Sequence, residues 1–156
     1  MVGIESFGAD TAYVDTFYGN DGTNLMMANL GDLLYGFGGD DSFYTTSAAS
    51  IVDGGDGIDT LQVASLGGWL MADSNGDGVA EQAAATSNGW IVNLTTGTVI
   101  DGYGNAGGVT GIENVDGSEN GDTLTGDANV NALNGWTGDD TLEGGAGNDA
   151  LDGGDG

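Results

Sequence analysis

Aspartate dominates the residues in this sequence that could do chemistry. The 156-residue chain has 20 Asp and 5 Glu but no Lys, Arg, His or Cys, which leaves a formal net charge of −25. Carboxylate and carbonyl oxygens are the ligands of hard cations, whereas zinc prefers imidazole and thiolate groups that are absent here. The chain also lacks a base or nucleophile suited to neutral pH, as well as the H-E-x-x-H and G-x-S-x-G motifs. We therefore expect a cation-binding protein that is not an enzyme.

The uncompensated negative charge argues against several partners. Contacts to phosphate need Lys and Arg, so we expect no binding to nucleic acid or to anionic membrane surfaces.

No apolar run approaches the ~18 residues of a membrane span, which predicts no membrane insertion. The first fifteen residues, MVGIESFGADTAYVD, have neither the basic nor the apolar region of a cleaved signal peptide.

An internal period of nine residues organises the chain. The clearest nonapeptides are GFGGDDSFY (36–44), GGDGIDTLQ (54–62), GSENGDTLT (117–125), GDANVNALN (126–134), GWTGDDTLE (135–143) and GGAGNDALD (144–152). Each begins with Gly, has Asp or Asn at position six and has an apolar residue at position eight. We divide the chain into a lead-in at 1–18, a first repeat block at 19–62, an irregular segment at 63–107 and a second repeat block at 108–156. Such a period predicts a stacked repeat fold.

These nonapeptides resemble the G-G-x-G-x-D-x-U-x repeat of the RTX (repeats-in-toxin, haemolysin-type) calcium-binding family. Residues 54–62 and 144–152 match every defined position, whereas other copies depart from it. The departures are Phe37, Ser118, Asp127 and Trp136 in place of the second Gly, and Asn131 in place of the Asp. The resemblance implies an all-β fold, a right-handed parallel β-roll, in which a Gly-rich turn precedes each short strand and two units complete one coil.

On this scheme residues eighteen apart stack on the same sheet. The predicted inward columns of the first block are Leu25, Phe43 and Leu61 on one sheet, and Leu34 and Val52 on the other. Those of the second block are Val115, Leu133 and Leu151, facing Leu124 and Leu142.

The same stacking predicts where calcium would bind. Coils lie about one strand spacing apart, ~4.8 Å, so an ion midway between two turns is ~2.4 Å from the oxygens of each. This distance suits calcium better than magnesium. The predicted pairs are Asp41 with Asp59, Asp122 with Asp140, and Asp149 with the neutral Asn131, while Asp32 has only a poor partner turn at 45–50. Turn carbonyls complete the sites, in the repeats that contain Gly36, Gly39, Gly55, Gly57, Gly117, Gly138, Gly145 and Gly147.

Two alternatives stay open at this point. The Asp and Gly residues could serve only as turn formers, although several copies in one register favour metal binding. A further segment, DSNGDG at 73–78, looks like the start of an EF-hand loop, but position twelve is Ala84 rather than Glu, so a plain Asx turn fits equally well.

Within the irregular segment, the pattern at 90–100 predicts a β-hairpin with its turn at Thr95, Thr96 and Gly97.

The resemblance also implies a biological setting. Proteins of this family are commonly exported by type I secretion and meet calcium outside the cell, so we expect a secreted or cell-surface location. The first hypothesis is a calcium-binding structural or adhesive module that folds on export and self-associates end to end into a layer or filament. The alternative is the accessory repeat domain of a secreted protease, lipase or polysaccharide epimerase.

Overall fold

The chain folds as a stack of short strands joined by tight turns. A computed structural model describes residues 3–4, 14–28, 31–63 and 88–156. Within these ranges there are fifteen strands and no helix, and therefore no helix long and apolar enough to cross a membrane. The strands are β1 (Gly3–Ile4), β2 (Thr16–Asn20), β3 (Asn24–Ala28), β4 (Leu33–Phe37), β5 (Ser42–Thr45), β6 (Ile51–Asp53), β7 (Thr60–Val63), β8 (Ile91–Asn93), β9 (Thr98–Ile100), β10 (Ala106–Thr110), β11 (Asn114–Asp116), β12 (Thr123–Thr125), β13 (Ala132–Asn134), β14 (Thr141–Glu143) and β15 (Ala150–Asp152).

Two sheets face each other across the core. The first sheet has seven strands in the order β1-β3-β5-β7-β11-β13-β15, all paired in parallel. The second has eight strands in the order β14-β12-β8-β9-β10-β6-β4-β2. Apart from β8, β9 and β10, which all belong to the second sheet, successive strands alternate between the sheets. They form a β-solenoid of about six turns, which confirms the predicted all-β roll.

The core is built on the position-eight residue of each repeat, as the nine-residue period predicts, and β3 and β7 each bury a second apolar residue, Ala28 and Val63. Phe43, Leu61, Val115 and Leu133 form the column of the first sheet, each at most 1% exposed. Leu34, Val52 and Leu124 lie opposite them on the second sheet and are at most 2% exposed. Leu142 is partly buried, and Leu151 continues its column in register but is 48% exposed because β15 is an edge strand.

The prediction for Leu25 is wrong. Met26 occupies the inward position of β3, with 2% of its surface exposed, whereas Leu25 is 40% exposed. Met26 pairs with Phe43, and Phe17 of β2 pairs with Leu34, so these two coils contain seventeen residues rather than eighteen. A strand that slips by one residue turns every side chain to the opposite face, which is why a strict period misplaces this column.

The predicted hairpin is confirmed, and it belongs to the second sheet. β8 and β9 are antiparallel, with Val92 opposite Val99. β9 pairs with β10 and β8 pairs with β12, so the hairpin lies between strands that would otherwise stack directly. On the first sheet β7 pairs with β11 without interruption, Leu61 opposite Val115. The second sheet thus gains two strands at a level where the first gains none. The segment at 73–78 lies outside the described residues.

Candidate cation site

The position-six side chains line the corners of the solenoid, each at the start of a strand. Along the first sheet the column runs Asn24, Asp41, Asp59, Glu113, Asn131 and Asp149. Along the second sheet, Asp32 precedes β4, Asp122 precedes β12 and Asp140 precedes β14. The turn-then-strand repeat places all of these side chains at equivalent points of successive coils.

A hydrogen bond connects each of these carboxylates to the coil before it. The backbone N–H of Asp41 donates to Asp59 Oδ1 at 2.8 Å, and that of Asp122 donates to Asp140 Oδ1 at 2.8 Å. The N–H of Asn131 donates to Asp149 Oδ1 at 3.0 Å in the same way. The structure therefore brings all three predicted pairs together.

Asp32 also faces neighbours on both sides. Its carboxylate accepts the N–H of Asp15 at 3.1 Å, and its carbonyl accepts the N–H of Ile51 at 2.9 Å. The second contact places Asp32 beside Ser50, in the poor partner turn predicted at 45–50. The residue in register with Asp32 on that side is thus a serine rather than an acidic residue.

Several of these carboxylates are buried with one oxygen unused. Asp41 and Asp59 are 1% and 0% exposed, and their Oδ2 atoms have no hydrogen-bond partner within the described ranges. The Oδ2 atom of Asp140 is also buried and has no partner in the part of the chain that the structure describes. A buried carboxylate without compensation is costly, so these oxygens are available ligands for a cation.

Burial acts on the acidity of the same groups. Desolvation raises the pKa of Asp41 to about 6, opposed by the hydrogen bond from the Asn24 backbone and reinforced by the charges of Asp59 and Asp40. Desolvation likewise raises the pKa values of Asp59, Glu113 and Asp122. The chain supplies no positive side chain that could reverse these shifts.

The first glycine of each repeat makes room for the carboxylate of that repeat. A Cβ on Gly54 would lie 2.6 Å from Asp59 Oδ2, and one on Gly144 would lie 2.6 Å from Asp149 Oδ2. Gly36 and Gly117 are in the same position relative to Asp41 and Asp122. Any larger residue here would displace the carboxylate.

The other predicted glycines bring successive turns into contact. Gly57 lies against the carbonyl of Gly39, and Gly147 lies against that of Asn129, each one coil earlier. Gly55, Gly138 and Gly145 lie against Phe37, Asn120 and Asp127 respectively. Some of these carbonyls already accept hydrogen bonds, since the N–H of Asp56 donates to the Phe37 carbonyl at 2.9 Å.

Among the described residues, no three acidic side chains converge on a single point. A cation held between two coils would therefore need turn carbonyls in addition to the carboxylate pairs. The mixed ligand set expected from the repeats stays a prediction.

Sequence reasoning missed three members of the polar columns. Asn24 and Asp15 precede Asp41 and Asp32 by seventeen residues, so a search at eighteen passes over them. Glu113 follows Asp59 by 54 residues, which is three periods of eighteen and could have revealed it. No protein-family model matches the chain, and no curated protein is significantly similar to it.

Proposed function

We propose that this chain is a calcium-binding structural module of an exported bacterial protein, without catalytic activity of its own. The observation that carries the proposal is the set of buried, unpartnered oxygens on Asp41, Asp59 and Asp140 in stacked turns. Each carboxylate stands beside an acidic residue of a neighbouring coil, in a chain with 25 acidic residues and no basic residue. A cation is the compensation that fits these groups.

Calcium fits this arrangement better than other metals. It accepts six to eight oxygen ligands in flexible geometry, which suits one or two carboxylates supplemented by turn carbonyls. Magnesium requires a smaller and near-ideal octahedral cage. The residues that would hold calcium are the predicted position-six pairs together with the neighbouring turn carbonyls.

Calcium binding would couple the folding of the module to its location. Extracellular calcium modules bind at about 10⁻⁴–10⁻³ M, far above the free calcium of a cytoplasm. At ten to a hundred times the dissociation constant, each site contributes about 1.4–2.7 kcal/mol to stability. Several sites together would rival the roughly 5–15 kcal/mol that stabilises a whole domain. The chain would then stay unfolded during export and become rigid outside the cell.

A calcium titration followed by far-UV circular dichroism tests this function. The protein starts in chelator, calcium is added stepwise, and magnesium at equal ionic strength is the control. We expect a cooperative gain of β-structure with calcium alone. A spectrum that is already folded in chelator, or that calcium leaves unchanged, would show that the repeats are structural turns and that the proposal is wrong.

A further inference from the structure

The two repeat blocks meet at a seam formed by residues distant in sequence. The turn before β7 stacks directly on the turn before β11, although Asp59 and Glu113 are 54 residues apart. The Asp59 N–H donates to Glu113 Oε2 at 2.9 Å, and the Asn114 N–H donates to the Asp59 carbonyl at 2.9 Å. Glu113 thus takes the position that Asp occupies in other coils.

Oxygens of both blocks face each other across this seam. The N–H of Gly54 donates to the Thr110 carbonyl at 3.0 Å, which brings the following residue, Gly111, against Gly54. The carbonyl oxygen of Gly111 and the Oδ2 atom of Asp59 both lie within 2.6 Å of the point where a Cβ of Gly54 would be. Asp59 is 0% exposed, and its Oδ2 has no hydrogen-bond partner among the residues that the structure describes.

The two oxygens of Asp59 therefore serve different coils. Oδ1 accepts the N–H of Asp41 within the first block, whereas Oδ2 lies on the side of Gly54 and Gly111. The Glu113 carboxylate reaches the same turn and stands near the charges of Asp59 and Asp127. No basic residue exists in the chain to neutralise this group of carboxylates.

We propose that Asp59, Glu113 and the carbonyl of Gly111 form a further calcium site, which joins the first repeat block to the second. The inference rests on the proposed function, because it extends calcium binding to a coil without the repeat aspartate. An ion bound here links turns separated by more than fifty residues and offsets part of the entropy lost in closing that segment. Binding at this site also requires the turns of the two repeat blocks to stack in one fixed register.

Hydrogen–deuterium exchange of the full chain over a calcium series tests the seam site. The variant is Glu113→Gln, which keeps an oxygen acceptor for the Asp59 N–H but removes the charge. The matched control is Glu143→Gln, an exposed glutamate on β14 that removes the same charge elsewhere. Glu113→Asp is the second variant, since it restores the carboxylate found in the other coils.

In wild type and Glu143→Gln we expect calcium to protect segments 54–63 and 108–116 together with 117–143. In Glu113→Gln the calcium needed to protect 54–63 and 108–116 should rise about tenfold or more, while 117–143 keeps its wild-type midpoint. Glu113→Asp should retain protection of the seam within a few-fold of wild type. A Glu113→Gln protein that fails to fold while Glu113→Asp folds and binds would also support the need for charge.

Two results would overturn the inference, and they are distinguishable. If Glu113→Gln protects all segments at the wild-type calcium concentration, the seam holds no ion although calcium binding by the repeats stands. If calcium protects no segment even in wild type, the proposed function itself fails and the seam site fails with it.

Discussion

The position-six aspartates carry two tasks in each coil. One carboxylate oxygen accepts a backbone N–H of the neighbouring turn, and in Asp41, Asp59 and Asp140 the other oxygen has no partner in the described part of the protein. The hydrogen bond stabilises the stacking of coils with or without calcium. The other oxygen leaves a negative charge that is buried without compensation. Loss of such a side chain should therefore affect the calcium-dependent state most.

Replacement of Asp59 or Asp140 by alanine tests this division. We expect the calcium concentration at half-folding, measured by circular dichroism, to rise about tenfold or more in each variant. Asp127→Ala is the comparison and should raise this concentration less, because Asp127 lies at position two, its carboxylate accepts the described hydrogen bonds from Asn129, and it only adds to the negative charge near Glu113. Equal effects in all three variants would contradict the position-six register.

Two aromatic residues stand where the repeat has glycine, and each has a strained backbone conformation. Phe37 and Trp136 have φ values of 74° and 73°, in the region that Gly55 and Gly145 occupy at the same repeat position. The left-handed conformation costs an L-residue roughly 1–2 kcal/mol. Phe37 stacks on Tyr18 with 6.1 Å between ring centroids, and Trp136 is 54% exposed.

Trp136→Gly and Trp136→Ala should differ in stability because only alanine retains the strain. We expect the glycine variant to be more stable than the alanine variant by about 1 kcal/mol in urea unfolding at saturating calcium. At Ala146, an exposed position without positive φ, replacement by glycine should instead destabilise by up to about 1 kcal/mol. If the two Trp136 variants were equally stable, the turn of the alanine variant would have changed its backbone conformation and lost the strain.

At the scale of elements, the period predicted most strands but not their exceptions. The nine-residue spacing predicts four inward residues, Leu34, Phe43, Val52 and Leu61. The structure confirms all four, since each is buried. Met26 could not be distinguished from Leu25 by hydrophobicity alone, since both are apolar and only the shortened coil decides between them. Turn length is set by local backbone geometry, which composition does not encode.

The hairpin shows a second limit of sequence reasoning. Its strands and turn were evident from local pattern, and β8 and β9 confirm them. Its insertion between β10 and β12 depends on pairing across the sheet, which no local signal specifies. The same is true of Glu113, whose role follows only once β7 and β11 are known to pair.

At the scale of the whole molecule, protons and calcium should compete for the same columns. Asp41 has a pKa of about 6 in the fold against 3.8 for the unfolded reference, so the folded chain binds more protons between these values. Its protonation therefore adds stability that is full below about 3.8 and is lost as the pH rises through about 6. Asp59, Glu113 and Asp122 shift in the same direction.

Metal-free protein should consequently gain β-structure as the pH falls through about 6, and calcium affinity should weaken over the same range. Circular dichroism between pH 4 and 8, with and without calcium, measures both effects, and sedimentation controls for association near the pI of about 4.1. A metal-free spectrum independent of pH above 4 would contradict the burial of these carboxylates.

The unequal strand count of the two sheets has a geometric consequence. Between β10 and β12 the second sheet contains two strands that have no counterparts between β7 and β11 on the first. Two strand spacings amount to ~10 Å of added height on one wall only. The coils on either side of the hairpin must therefore tilt away from each other at the second sheet, or that sheet must curve. In a longer solenoid of the same kind, the axis would change direction at each inserted hairpin, so the spacing of hairpins along the chain would set its path.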